Sequence, residues 1–160
     1  MTEALINTNC NLSSLNLAGN DLTDEAVEHL TTALKNPGCN LRSLGLECDE
    51  ITDEGVKHLT KALTNSNCKL NSLGLESNRI TDKGVKHLTE ALTHDTNDCK
   101  LNRLGLANNK ITDEGVKHLT IALINTNSNC QLYGLGLESN QITDKGVKLL
   151  IMTNDVAHIN

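Results

Sequence analysis

Two columns of chemically versatile side chains recur along this 160-residue sequence. His29, His58, His87 and His118 hold one repeated position, and Cys10, Cys39, Cys68, Cys99 and Cys130 hold another. Imidazoles and thiols in register invite three chemistries: metal ligation, a Cys–His nucleophile pair and a disulfide framework. The spacing argues against each. The cysteines fall 29, 29, 31 and 31 residues apart, one per structural unit, which suits a buried column of free thiols better than a disulfide scaffold. Only Cys48 stands outside that column. Each histidine follows an apolar valine by two residues, about 200° around a helix, so it is expected to face solvent. Neighbouring helices lie about 10 Å apart, too far for imidazoles to share an ion easily. Histidines and cysteines also sit at different phases of the unit. With no G-x-S-x-G, H-E-x-x-H or phosphate-cradling glycine loop in view, the chain reads as a non-enzyme with no cofactor and no metal site.

Composition narrows the class further. A formal net charge of −6 and a pI near 5.4 disfavour nucleic acid, whose phosphates require a concentrated basic face. No apolar run approaches the roughly 18 residues needed to span a bilayer. The stretch from Met1 to Cys10 lacks the charged and apolar regions of a secretory signal. A cytoplasmic location is expected, or delivery into a host cell if the chain is an effector. The Asn11-Leu12-Ser13 sequon carries little weight, since Leu12 falls at an expected core position.

The absence of Phe and Trp, and the single Tyr133, leave aliphatic side chains to fill any interior. A regular lattice allows that. Starting each unit at its first leucine divides the chain into 12–40, 41–69, 70–100, 101–131 and an incomplete 132–160, preceded by a half unit 1–11, all in one domain 1–160. The front of each unit alternates, as in Leu70, Leu73, Leu75 and Asn78, the frame L-x-x-L-x-L-x-x-N of a strand with leucines turned inward. The back changes period: Val85, Leu88 and Leu92 lie on one helical face. Thr23, Thr52, Thr81, Thr112 and Thr143 are expected helix N-caps. Asp53 and Lys57, with the equivalent pairs Asp82 and Lys86, Asp113 and Lys117, and Asp144 and Lys148, are expected to pair at i,i+4.

Unit length, the leucine frame, a cysteine two residues before the first leucine and the helix I-T-D-x-G-V-x-H-L-x-x-A-L together resemble leucine-rich repeats of the ribonuclease inhibitor type. The same type occurs in nucleotide-binding innate-immune receptors and Ran GTPase-activating proteins. The resemblance implies an α/β leucine-rich repeat solenoid, a horseshoe arc with its parallel sheet concave and its helices convex. It also implies a ladder of Asn20, Asn78, Asn109 and Asn140 bonded to backbone groups, in which Asp49 is the odd rung. A carboxylate accepts but cannot donate, so that rung should be weaker. Ran GTPase activation is a poor fit, because no acidic tail follows the repeats.

The expected function is that of a protein-interaction module binding its partner on the concave face, as a sensor or an effector. Inhibition of a ribonuclease or another enzyme is one alternative, and self-association through open solenoid ends another. The chain opens within a helix and neither end shows a polar capping repeat, which suits a fragment or a minimal module; Leu149 replaces the usual histidine, Leu150-Ile151-Met152 breaks the pattern, and the tail that follows, ending at Asn160, is a candidate makeshift cap. Candidate partner-binding residues are Asn16, Glu47, Glu76, Arg103, Tyr133 and Glu138. The glutamates favour a basic surface on the partner. Gly45, Gly74, Gly105 and Gly136 leave the floor flat enough for close approach, although duplication of one ancestral unit accounts for them equally well, residues 51–60 and 111–120 being identical.

Overall fold

The computed structural model describes residues 2–7, 10–94, 99–124 and 132–156, and the side chains of all of these except 2, 3 and 152–156. Cys130 and the last four residues of the tail lie outside them.

Strand and helix alternate along the chain. Helix α1 (Thr2–Leu5) precedes five units of β1 (Ser14–Asn16) and α2 (Asp24–Leu34), β2 (Ser43–Gly45) and α3 (Asp53–Leu63), β3 (Ser72–Gly74) and α4 (Asp82–Leu92), β4 (Arg103–Gly105) and α5 (Asp113–Ile124), and β5 (Gly134–Gly136) and α6 (Asp144–Val156). The five strands form one parallel sheet in sequence order. Leu15, Leu44, Leu73, Leu104 and Leu135 stand in line across it. Strands repeat about every 4.8 Å, whereas a helix with its side chains is about 10 Å wide, so the helices take the outer side of the arc.

The core is the aliphatic lattice expected. In the unit 70–100, Leu70, Leu73, Leu75, Ile80, Val85, Leu88 and Leu92 are all at most 2% exposed. Cys39, Cys68 and Cys99 are buried thiols outside any disulfide, and Cys10 is half-buried. Burial pushes the Cys68 thiol up from its ordinary pKa, as an apolar setting does for any group whose charged form it penalises. The lattice thins where a unit lacks a neighbour. Leu12 is 41% exposed, not core, because among the described residues no strand precedes β1 to cover it.

Two polar ladders bind the units. Asn78 donates from Nδ2 to the Leu46 and Leu75 carbonyls at 2.7 and 3.2 Å and accepts from the Ile51 N–H at 3.0 Å. Asn109 and Asn140 repeat the pattern. At Asp49, Oδ1 accepts from the Asn20 and Leu22 N–H groups, both at 3.0 Å, while Oδ2 is buried without a hydrogen-bond partner.

The second ladder overturns an expectation. None of the four i,i+4 Asp–Lys pairs forms among the described residues; Lys57 and Lys117 pair instead with Glu54 and Glu114, three residues earlier. The Lys57 ammonium, hydrogen-bonded to it, holds the Glu54 carboxyl below its ordinary pKa. Asp24, Asp53, Asp82 and Asp113 reach forward instead to the next unit. Asp53 accepts from the Thr81 N–H at 2.9 Å, the Thr81 hydroxyl at 2.7 Å and the Gly84 N–H at 2.9 Å. Asp24 does the same for Thr52, Asp82 for Thr112 and Gly115, and Asp113 for Thr143. A surface lysine gives an aspartate only a screened attraction, whereas the orphan N–H groups of the next helix offer short charge-assisted hydrogen bonds. The Thr143 hydroxyl keeps the Asp113 carboxyl below its ordinary pKa. Threonine caps its own helix as expected in α3 to α6, where Thr52, Thr81, Thr112 and Thr143 accept from the Glu54, Lys83, Glu114 and Lys145 N–H groups at 3.2–3.3 Å. Thr23 makes no such side-chain bond.

Candidate binding surface

Strand register sets three rows of outward side chains on the concave sheet. The first is Ser14, Ser43, Ser72, Arg103 and Gly134; the second is Asn16, Gly45, Gly74, Gly105 and Gly136. One position beyond the strands the third row runs Ala18, Glu47, Glu76, Ala107 and Glu138. The first row, the second as far as Gly105, and Glu47 and Glu76 of the third line an open groove of about 380 Å³ across the strands.

Of the six residues picked from the sequence, Asn16, Glu47, Glu76 and Arg103 line the groove, and Tyr133 and Glu138 do not. Asn16 bends back, its Oδ1 accepting from the Ala18 N–H at 2.8 Å. Tyr133 is 69% exposed and joins the others only through Arg103, whose guanidinium carbon stands 5.2 Å from the ring centroid. Glu138 is exposed beside Gly136.

The glycine row is not bare. A Cβ placed on Gly45 would meet Glu47 Oε2 at 2.7 Å, one on Gly74 would collide with the Glu47 carboxylate and meet Glu76 Oε2 at 3.0 Å, and one on Gly105 would collide with Glu76. The glutamates lie flat across the sheet, in the volume that side chains of the second row would fill. Their Oε2 atoms are buried and have no hydrogen-bond partner. Sequence reasoning placed Glu47 and Glu76 on this face but not in this posture. The signal was present as an adjacency: in β2 and β3 a glutamate follows each row-two glycine by two residues, and it can lie down only because glycine leaves room.

The histidine column differs from expectation in exposure. His29 is exposed, but His58, His87 and His118 are half-buried, since a helix with neighbours on both sides buries its flanks as well as its inner face. His87 stands with Thr60, Lys61, Thr64, Glu90 and His94 around a shallow cleft between α3 and α4, with Nδ1 3.5 Å from Glu90 Oε2. No group of three or more potential metal ligands occurs among the described residues. Cys48 is an exposed thiol in left-handed backbone, φ 59°, at the turn where Ser77, Asn108, Ser139 and Gly19 share that conformation. Its place is a turn position common to every unit.

Solved structures share this architecture. The tropomodulin C-terminal domain of Caenorhabditis elegans matches with a TM-score of 0.71 and 14% identity, covering 98% of this chain and 90% of that one. Leiomodin-1 actin-binding site 2 matches at 0.72 with 22% identity, covering 97% and 88%. An internalin (inlF) of Listeria monocytogenes matches at 0.56 with 25% identity over 87% of this chain and 32% of its own. The search of curated proteins returned no significant match. The family model described as Leucine Rich repeat matches residues 8–30, 66–88, 97–119 and 135–150, more than half of the chain. With strand, polar rung and amphipathic helix recurring in the same order in each unit, the chain belongs to the leucine-rich repeat family.

Proposed function

We propose that the chain is a protein-interaction module that holds its partner along the concave sheet, through Asn16, Glu47, Glu76 and Arg103 in the groove and Tyr133 and Glu138 at its margin. The observation that carries this reading is a division of labour. Leucines, Asn rungs and Asp–Thr bonds account for the scaffold, whereas the polar side chains around the 380 Å³ groove, Ser14, Asn16, Ser43, Glu47, Ser72, Glu76 and Arg103, serve none of these purposes. A surface with polar groups to spare, framed by a rigid lattice, is suited to recognition. The leiomodin-1 segment with this fold is described as an actin-binding site, which favours a protein as the class of partner. Unit length and helix pattern favour the ribonuclease inhibitor-like subtype, and free cysteines favour a reducing, cytoplasmic setting. Inhibition of an enzyme, a nuclease included, is the special case in which the groove covers the partner's active site.

A photocrosslinking amino acid placed at Ser43 or Ser72 and, for comparison, at Lys86 or Glu90 on the convex side tests the surface directly. Partner capture is expected from the concave positions. Capture from the convex positions alone would overturn the assignment.

A second reading, association of copies, is favoured by apolar side chains left in water on the last two helices: Ile121, Leu123, Ile124, Val147 and Ile151 are each at least 40% exposed. Light scattering across a concentration series decides it, a constant monomer mass removing the idea.

A further inference from the structure

We propose that two copies of this chain pair side by side about a two-fold axis, along the rim where the loops leaving the sheet enter the outer helices. The acidic first unit of each copy then faces the basic later units of the other. This inference rests on the reading that copies associate and deepens it, but places the contact away from the apolar side chains of α5 and α6. The rim carries both signs of charge, sorted along the arc. Asp21, Glu25 and Glu28, all on the first unit, are exposed and belong to no ion pair among the described residues. Lys86, Lys110 and Lys148, on the third, fourth and fifth units, are exposed and outside any ion pair in the same way. Elsewhere the rim largely neutralises itself, Arg79 pairing with Glu50 at 2.6 Å, Lys57 with Glu54 at 2.9 Å and Lys117 with Glu114 at 3.1 Å.

The scaffold does not dictate this order. The place of Asp21 is taken by Glu50, Arg79, Lys110 and Gln141 in later units, and that of Glu28 by Lys57, Lys86, Lys117 and Lys148, so each position accepts either sign. Within one molecule the two groups cannot meet. Helices about 10 Å apart put the first and fourth units about 30 Å from each other, well beyond the roughly 10 Å screening length of 0.1 M salt. A second copy turned end for end satisfies both groups at once. With the axis on the seam between the second and third units, which Glu50–Arg79 and Glu54–Lys83 already bridge, the first unit of each copy lies opposite the fourth of the other. Asp21, Glu25 and Glu28 then face Lys110, with Lys86 and Lys148 one helix to either side. Copies aligned in the same direction would set like charge against like, and a partner of a single sign would engage only one half of the rim. The self-complementary charge therefore selects a second copy and a closed, isologous pair. Single exposed ion pairs are weak, and the symmetry doubles each one.

The test is light scattering on the full chain across a concentration series at two salt levels. In roughly 10 mM salt, where the screening length is near 30 Å, the mass is expected to climb from the monomer value and level at about twice it; in roughly 1 M salt, where that length is near 3 Å, it should stay monomeric. E25K/E28K makes the acidic group basic, and K86E/K110E reverses the group it faces. Each variant alone should associate at least about tenfold more weakly at low salt, since every facing pair it touches turns from attraction to repulsion. An equimolar mixture of the two should recover the parent's association, which also shows that neither variant has lost its fold. A monomeric parent at low salt would remove both the rim pairing and the reading that copies associate. Association that ignores salt, grows past the dimer or survives in either variant alone, or a mixture that stays monomeric, would remove the rim pairing only and leave the contact to the apolar side chains of the last two helices.

Discussion

Asp49 stands where the neighbouring units carry asparagine, and the consequence is confined to one oxygen. Oδ1 does the work of an asparagine carbonyl, but Oδ2 occupies the place of the Nδ2 donor and is left buried and unpaired. The carbonyls that an amide would serve, Leu17 and Leu46 by analogy with Asn78, receive instead a side chain that has no proton to give. Asp49→Asn should therefore raise stability by about 1 kcal/mol, the net worth of a neutral hydrogen bond, or roughly 2–4 °C of melting temperature in a chain of this size. Thermal denaturation followed by circular dichroism measures it, and an unchanged or lower midpoint would contradict the ladder account. This residue was legible in advance, since the asparagine column and the chemistry of a carboxylate suffice. The posture of Glu47 and Glu76 was legible only in part: the glycine two residues before each glutamate leaves room beside it, but the carboxylate comes to rest over the glycine of the following strand, a relation that strand register alone creates.

At the scale of the element, the helix N-terminus is where local rules misled. An aspartate four residues before a lysine satisfies the rule for a helical ion pair, yet the partner chosen is a threonine 28 to 30 residues away. The clue lay in a residue that single-helix reasoning treats as a blemish. Gly55, Gly84, Gly115 and Gly146 sit in the first turns of α3 to α6, whereas the equivalent residue of α2 is Ala26. Alanine suits a helix better by about 1 kcal/mol, so glycine in four successive units signals a steric need. The structure supplies it: a Cβ on Gly84 would come within 2.6 Å of Asp53 Oδ1 and 2.8 Å of Ile80 Cγ2, and no aspartate presses on the helix that begins with Asp24. Gly84→Ala is thus expected to destabilise by about 1–3 kcal/mol, the range for overpacking a tight site, against the sign of helix propensity. Urea denaturation gives the value, and a gain in stability would show that the aspartate contact is dispensable.

For the molecule as a whole, each unit is covered only by the units beside it. Leu44, Leu73 and Leu104, in the middle strands, are at most 2% exposed, while Leu15 and Leu135 in the outer strands are only half-buried. Stability in such an array is a sum over interfaces and not a property of one centre. Amide hydrogen exchange should accordingly show its strongest protection in α3, α4 and β3, falling toward β1 and β5. Uniform protection across all five strands would indicate a single cooperative block. The architecture was readable from period alone because every unit repeats the same solution, and the limit of that legibility is the surface, where the repeats differ and no second copy explains the first. One property of the Asp–Thr bond extends beyond stability. Each of the first four units extends its carboxylate toward the unit that follows, so the four junctions from Asp24–Thr52 to Asp113–Thr143 present the same plug and the same socket. A gene encoding such units can lengthen, shorten or shuffle them by recombination without re-engineering any seam. The identity of residues 51–60 and 111–120 fits a chain that has grown in that way, by copying a part whose fittings were already standard.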